Sequence, residues 1–245
     1  MISQEPLPRR RRRGRQASLL FAPLAWLKLL YFCHAGDTEV GGFGVTDIDD
    51  LLYVEDFVTV GQHTSAVTVL FDDHAVADFM DRCVDTGLSP QNCLRLWCHT
   101  HPGSSAEPSG TDEETFERVF GGCDWAVMFI LARTGNTYAR LSMRAGPGAA
   151  THLAVGVDWS RWSEVVNDPK FSLTTLRADW QDEFATNIHR LPEFASTVLS
   201  APADSLIGVN PRELLEGGGD WSDLDEQIWE EYERHARFYD DDLRA

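Results

Sequence analysis

The chain has 245 residues, 43% of them hydrophobic and 11% aromatic, enough apolar material for one large folded domain with an appendage. Acidic residues number 39 against 21 Lys and Arg, giving a formal net charge of −18. Such an acidic chain excludes nucleic-acid binding through a broad basic face. Six arginines, at 9–13 and 15, run against that balance, and residues 1–18 read as a disordered, solvated arm. The apolar run that follows is interrupted by Lys28, is short for a bilayer span and lacks a clean small-x-small cleavage site. It is therefore expected to be a buried helix of a soluble, cytoplasmic protein, with no membrane partner. The five cysteines are an odd number in mostly apolar contexts, which suits reduced core thiols better than a disulfide framework.

In chain order, residues 19–35 carry apolar side chains at helical spacing (Leu20, Leu24, Leu27, Leu30, Tyr31), with Pro23 near the first turn. Glu39 opens a glycine-rich strand, and residues 51–60 are expected to pair back on it through a turn over 46–50. A short strand is expected at 67–71. Asp72 and Asp73 cap a helix whose stripe of Val76, Phe79, Met80, Cys83 and Val84 is expected to be core. The apolar run 94–98 predicts a strand continuing to His101. Thr111 or Ser109 can cap a helix over 113–120, with Glu113 and Glu114 in its favourable first turn. Residues 125–132 read as a central buried strand, 137–143 as a strand with one wetter face, and 152–157 as one more. This order predicts an α/β fold, a mixed sheet with helices packed on it.

Beyond Trp159 the character changes. Region 158–245 is acidic and holds five of the eight tryptophans (Trp159, Trp162, Trp180, Trp221, Trp229). A helix is expected around 180–199, broken by Pro192, with a flexible joint at 217–219 and a last acidic helix over 224–239. Exposed tryptophans imply contact, either with the domain's own flank or with a partner.

The chemistry concentrates in 96–112, LWCHTHPGSSAEPSGTD. On a strand, side chains alternate faces, so His99 and His101 point the same way and Thr100 and Cys98 the other. Two imidazoles on one face can grip a single metal, and Asp112, returning after a polar loop, can add a carboxylate oxygen. Two His and one carboxylate with a position left open is the donor set of a catalytic zinc. A hydrolytic zinc site also needs a base that is not a ligand; Glu39 is the best candidate, ahead of Glu55 and Glu107. Ser109, three residues before Asp112, is placed to hydrogen-bond a tetrahedral oxygen. His34, His63 and His74 have no partner at a telling spacing and are expected at the surface or at helix ends.

Glu39, then His99-Thr100-His101, seven residues, Ser109, two residues and Asp112 resembles the motif of the JAMM (JAB/MPN) metalloproteases, as do the HTHP element and the glycines after Glu39. The resemblance covers residues 19–157 and is closest to compact prokaryotic members, since the links at 61–66 and 121–136 leave no room for long insertions. It implies an α/β sandwich around a curved mixed sheet, similar to the deaminase fold. It implies Zn2+ on His99, His101 and Asp112, Glu39 as general acid/base, and Ser109 as stabiliser of the tetrahedral intermediate. The implied activity is hydrolysis after the C-terminal glycine of ubiquitin or a ubiquitin-like protein, whose conjugates would be the partners. Region 158–245 lies outside the resemblance and is a candidate dock for a conjugation-pathway enzyme. The alternatives are a non-catalytic MPN scaffold subunit, or a zinc peptidase acting on sulfur-carrier proteins or cell-wall peptides.

Overall fold

The computed structural model of the chain describes residues 17–192. The arginines of the expected arm, the helix expected at 224–239, the joint expected at 217–219, and Trp221 and Trp229 lie outside the described residues, while Ser18, expected in the arm, begins a strand. The first strand, β1 (Ser18–Phe21), buries Leu19 and Phe21 on one face, and helix α1 (Pro23–Ala35) follows directly. The expected helix over 19–35 is thus shorter by four residues. Pro23 occupies the first helical position, where its missing N–H costs nothing, and the residues before it alternate in and out as a strand does. The glycine-rich strand β2 (Val40–Thr46) pairs antiparallel with β3 (Tyr53–Val58).

Two short strands come next, β4 (Gln62–Thr64) and β5 (Val69–Phe71), of which only the second was expected. Helix α2 (Asp73–Asp85) starts at Asp72, whose side chain accepts from the His74 and Ala75 amides. Its stripe is only half core: Phe79 and Cys83 are buried, but Met80 and Val84 face solvent. A single-turn helix α3 (Pro90–Cys93) leads into β6 (Leu96–His101), and α4 (Gly110–Phe120) is capped by Ser109, one of the two residues expected there. Strands β7 (Trp125–Ala132) and β8 (Thr137–Met143) fall where expected.

Leu153 divides the strand expected at 152–157 into β9 (Ala149–His152) and β10 (Ala154–Val157). The division has a topological reason. In the eight-stranded sheet, ordered β10-β1-β3-β2-β6-β7-β8-β9, the two halves are the opposite edges. The sheet is mixed, with β1/β10, β1/β3 and β6/β7 parallel and the other neighbours antiparallel. It curves until its edges nearly meet, and the Leu153 amide donates to the Ala139 carbonyl of β8 as the chain crosses (2.9 Å).

After a 3-10 turn at Trp159–Arg161 come α5 (Trp162–Asn167), α6 (Leu173–Asn187) and β11 (Ile188–Arg190). The helix expected over 180–199 begins earlier and ends at Asn187, where the backbone turns extended to pair with β4. Trp180 packs against Tyr31, and Phe184 against Phe32, each with its ring tilted, so α6 rides on α1. A polar latch supplements this contact: buried Lys28 bonds Glu183 at 2.8 Å, and Glu183 accepts from the Thr59 amide and hydroxyl.

Apolar clusters fill both faces of the sheet. One, under α1, holds Leu19, Phe21, Phe32, Phe57, Cys98 and Phe129; the other, under α2 and α4, holds Phe43, Phe79, Trp97, Phe116, Met128 and Ile130. Alternation along β6 sends Leu96 and Cys98 to the first and Trp97 to the second, so the histidines rise from the second face. All five cysteines are free thiols. Among the described residues, no helix is long and apolar enough to cross a membrane.

Candidate metal centre

Strand β6 lies between β2 and β7, and its neighbours hold its two histidines at a defined height: His99 pairs with Gly41 on one side and Ile130 on the other. The two Nε2 atoms converge to 3.2 Å. Helix α4 brings Asp112 into the same space, with Oδ1 3.1 Å from His99 Nε2 and Oδ2 3.5 Å from His101 Nε2. All three residues offer donor atoms within 4.8 Å of one another, close enough to hold a single metal ion.

Each ligand is aimed by its neighbourhood. The Nδ1 of His101 lies 2.9 Å from the Ser105 carbonyl. Donating a proton there leaves the Nε2 lone pair free for a cation, the usual arrangement of a metal-binding imidazole. His99 is wholly buried and its Nδ1 has no hydrogen-bond partner; its ring is instead stacked on Trp97, with centroids 4.3 Å apart. Asp112 is locked by a capping box. Its Oδ2 accepts from the Ser109 amide (2.7 Å) and hydroxyl (2.8 Å), while Ser109 Oγ accepts from the Asp112 amide (3.1 Å). Sequence offered Ser109, with Thr111, as a helix cap; the geometry adds that the same serine fixes the direction of the Asp112 carboxylate.

Glu39 stands just before β2, with Oε1 3.7 Å from His101 Nε2, beside the donor cluster but outside it. Its own amide donates to the Ser65 carbonyl (2.7 Å), and the next amide, of Val40, donates to Thr100 Oγ1 (3.1 Å). Thr100, on the face away from the histidines, thus fixes the backbone next to Glu39. Gln62 of β4 clamps Gly41 at both ends, accepting from its amide and donating to its carbonyl, each at 2.8 Å. The close approach needs the glycines: a Cβ on Gly41 would fall 2.7 Å from Val69 Cγ1, and one on Gly42 2.5 Å from the Val58 carbonyl oxygen.

The electrostatics describe a cluster in need of a cation. Burial pushes Glu39 up to about 9, with the Asp112 charge adding to the effect. Burial also opposes ionisation of Asp112, but hydrogen bonds from His101 and His99 hold its carboxyl well below the usual carboxylate range. Burial lowers His99. For His101 burial works the same way, yet the hydrogen bond to Asp112 prevails and raises it. A carboxylate and two inward-facing imidazoles are stabilised by a positive charge between them, whether a proton or a metal ion. The donor set, two nitrogens and one carboxylate oxygen, fits zinc.

Every residue expected at the site is brought to it: His99, His101 and Asp112 as the donor triad, Glu39 beside His101, and Ser109 on Asp112. Trp97, Thr100, Gln62 and the Ser105 carbonyl were not singled out as support. Strand alternation alone puts Trp97 on the histidines' face, whereas no sequence signal ties Gln62 to Gly41 or Ser105 to His101. A groove of about 640 Å³ is lined by Pro23, Tyr53, Arg161, Phe171 and Leu176 and includes none of the five site residues. Compared with known proteins, the chain matches no protein-family model and no curated protein.

Proposed function

We propose that the chain is a zinc-dependent hydrolase of the JAMM type that cleaves the peptide or isopeptide bond after the C-terminal glycine of a ubiquitin-like protein. One observation carries the hydrolytic reading. Two histidine Nε2 atoms and an aspartate converge on one point, and a buried carboxylate that is not part of the triad stands beside them. The curved mixed sheet with helices on both faces is compatible with the fold that the resemblance implies. The substrate class rests on the motif, Glu39 with His99-Thr100-His101, Ser109 and Asp112.

Zinc held by His99, His101 and Asp112 would acidify a water molecule and polarise the scissile carbonyl. Glu39 takes the proton of the attacking water and returns it to the leaving amine, so that water and amide become carboxylic acid and amine with no net proton change. Its burial suits this alternation, because a carboxylate short of solvent binds a proton readily, and a neighbouring cation draws it back toward the ionised form. Ser109 has a hydroxyl proton that moves by rotation about one bond, from Asp112 Oδ2 toward a developing oxyanion, without disturbing its acceptance from the Asp112 amide. The exposed loop Gly103-Ser104-Ser105, following the mostly buried His101, provides the approach from solvent.

The test is incubation of the full chain with fusions in which a ubiquitin-like protein ends in glycine before a reporter, with and without a zinc chelator. The expected result is cleavage after that glycine, abolished by the chelator, restored by zinc, and absent in Asp112→Ala and Glu39→Gln. Cleavage that persists in the chelator, or a zinc-loaded protein that cleaves none of the fusions while retaining a partner, would overturn the reading.

A further inference from the structure

His63 and His189 are 126 positions apart and neither figures in the metal centre. They are brought to the same register where β11 pairs parallel with β4, His63 opposite His189. Their rings stand 5.6 Å apart, centroid to centroid, at an interplanar angle of 42°. The two imidazoles of the metal centre supply an internal yardstick: His99 and His101 stand 5.1 Å apart at 50°, with their Nε2 atoms 3.2 Å from each other. The rings of the second pair are thus spaced much as those of the metal centre, 5.6 against 5.1 Å between centroids. His189 is exposed and His63 half-buried, and no hydrogen bond to a described residue engages either ring.

We propose that His63 and His189 form a second divalent-cation site, which staples β11 to β4. Two imidazoles with water in the remaining positions select a borderline metal such as Zn2+, Cu2+ or Ni2+ over Mg2+ or Ca2+, which demand oxygen. The surroundings favour a cation. The negative charge of Asp72 acts on His63, while the Arg190 guanidinium, next to His189 in sequence, turns to the opposite face and is neutralised by Asp37 at 2.9 and 3.0 Å. Burial and the neighbouring His189 lower the affinity of His63 for a proton, so its ring is neutral, as a metal ligand must be.

The position gives such a cation a mechanical consequence. Among the described residues, β11 is the end of the C-terminal segment and holds β4 through its ladder and through the Leu191 amide, which donates to the Thr64 carbonyl (2.8 Å). Strand β4 in turn supports the catalytic edge: Gln62 clamps Gly41, Thr64 bonds Thr38, and the Ser65 carbonyl holds the Glu39 amide. A metal bridging His63 and His189 closes the outer strand of that stack.

Zinc titration of the full-length, zinc-loaded protein by calorimetry tests the proposal, with hydrogen exchange of the Leu191 amide followed in parallel. The expected result is a second, weaker equivalent in the wild type that is absent in both His63→Gln and His189→Gln, while each variant keeps the tight equivalent. At free zinc ten times the second dissociation constant, Leu191 exchange should slow about tenfold in the wild type and remain unchanged in the variants. Retention of the tight equivalent reports that the variants are folded. Saturation of the wild type at one equivalent, or survival of the second in both variants, would overturn the site. A second equivalent that leaves Leu191 exchange unaltered would overturn the staple.

Discussion

Replacing Glu39 by Gln keeps the size and shape of the side chain and removes its charge. In the metal-free protein, burial raises the Glu39 pKa from an ordinary 4.5 to about 9. Between those values the folded protein holds a proton that the unfolded chain has released, so stability falls as pH rises through the window. At pH 7 the interval above 4.5 is two and a half pH units, at about 1.4 kcal/mol each, and the burden on the folded state is on the order of 3 kcal/mol. Glutamine carries no such burden. Chelator-treated Glu39→Gln should therefore be the more stable protein at pH 7, by about 6–12 °C in Tm for a chain of this size. The advantage should vanish below pH 4.5, where both side chains are neutral, and shrink when zinc is restored, because a nearby cation favours the carboxylate. Activity should fall by about 10²–10⁴ or more, the usual contribution of a general acid/base. The assay is thermal and urea unfolding of both proteins from pH 4 to 9, with and without chelator. Parallel pH profiles for the two metal-free proteins would refute the account of Glu39 as a buried carboxyl held by its surroundings.

Other expectations follow from the same geometry. Asp112→Ala and His99→Ala should each abolish tight zinc binding, read as metal per chain after dialysis; full metal content in either would place the ion elsewhere. Gly42→Ala should destabilise the protein by about 1–3 kcal/mol, because its new methyl meets a backbone oxygen that cannot swing aside. Gly103→Ala, with open space around the added atom, should stay within about 0.5 kcal/mol, and equal urea midpoints for the two variants would contradict the close approach. Lys28→Met should loosen α6 by leaving Glu183 without its cation, at about 1–3 kcal/mol, with faster proteolysis near residues 173–187; an unchanged cleavage rate would mean the aromatic contacts alone hold the helix.

Sequence alone determined the parts whose information is local. Unbroken apolarity marked β7, alternation marked β8 and put His99 and His101 on one face of β6, and Ser109 was one of two residues able to cap α4. The donor triad was legible for the same reason: two of its members are neighbours on one strand and the third lies in the first turn of the next helix. Tertiary structure decided whatever depended on partners distant in the chain. Leu153 splits a strand because the curved sheet brings its two edges together there. Met80 and Val84 are exposed because no element among the described residues covers their side of α2. Gln62 reaches Gly41 only when the fold brings β4 beside it, and His63 acquires a neighbour only when the chain returns as β11. Periodicity records which way a side chain points; only packing decides what it meets.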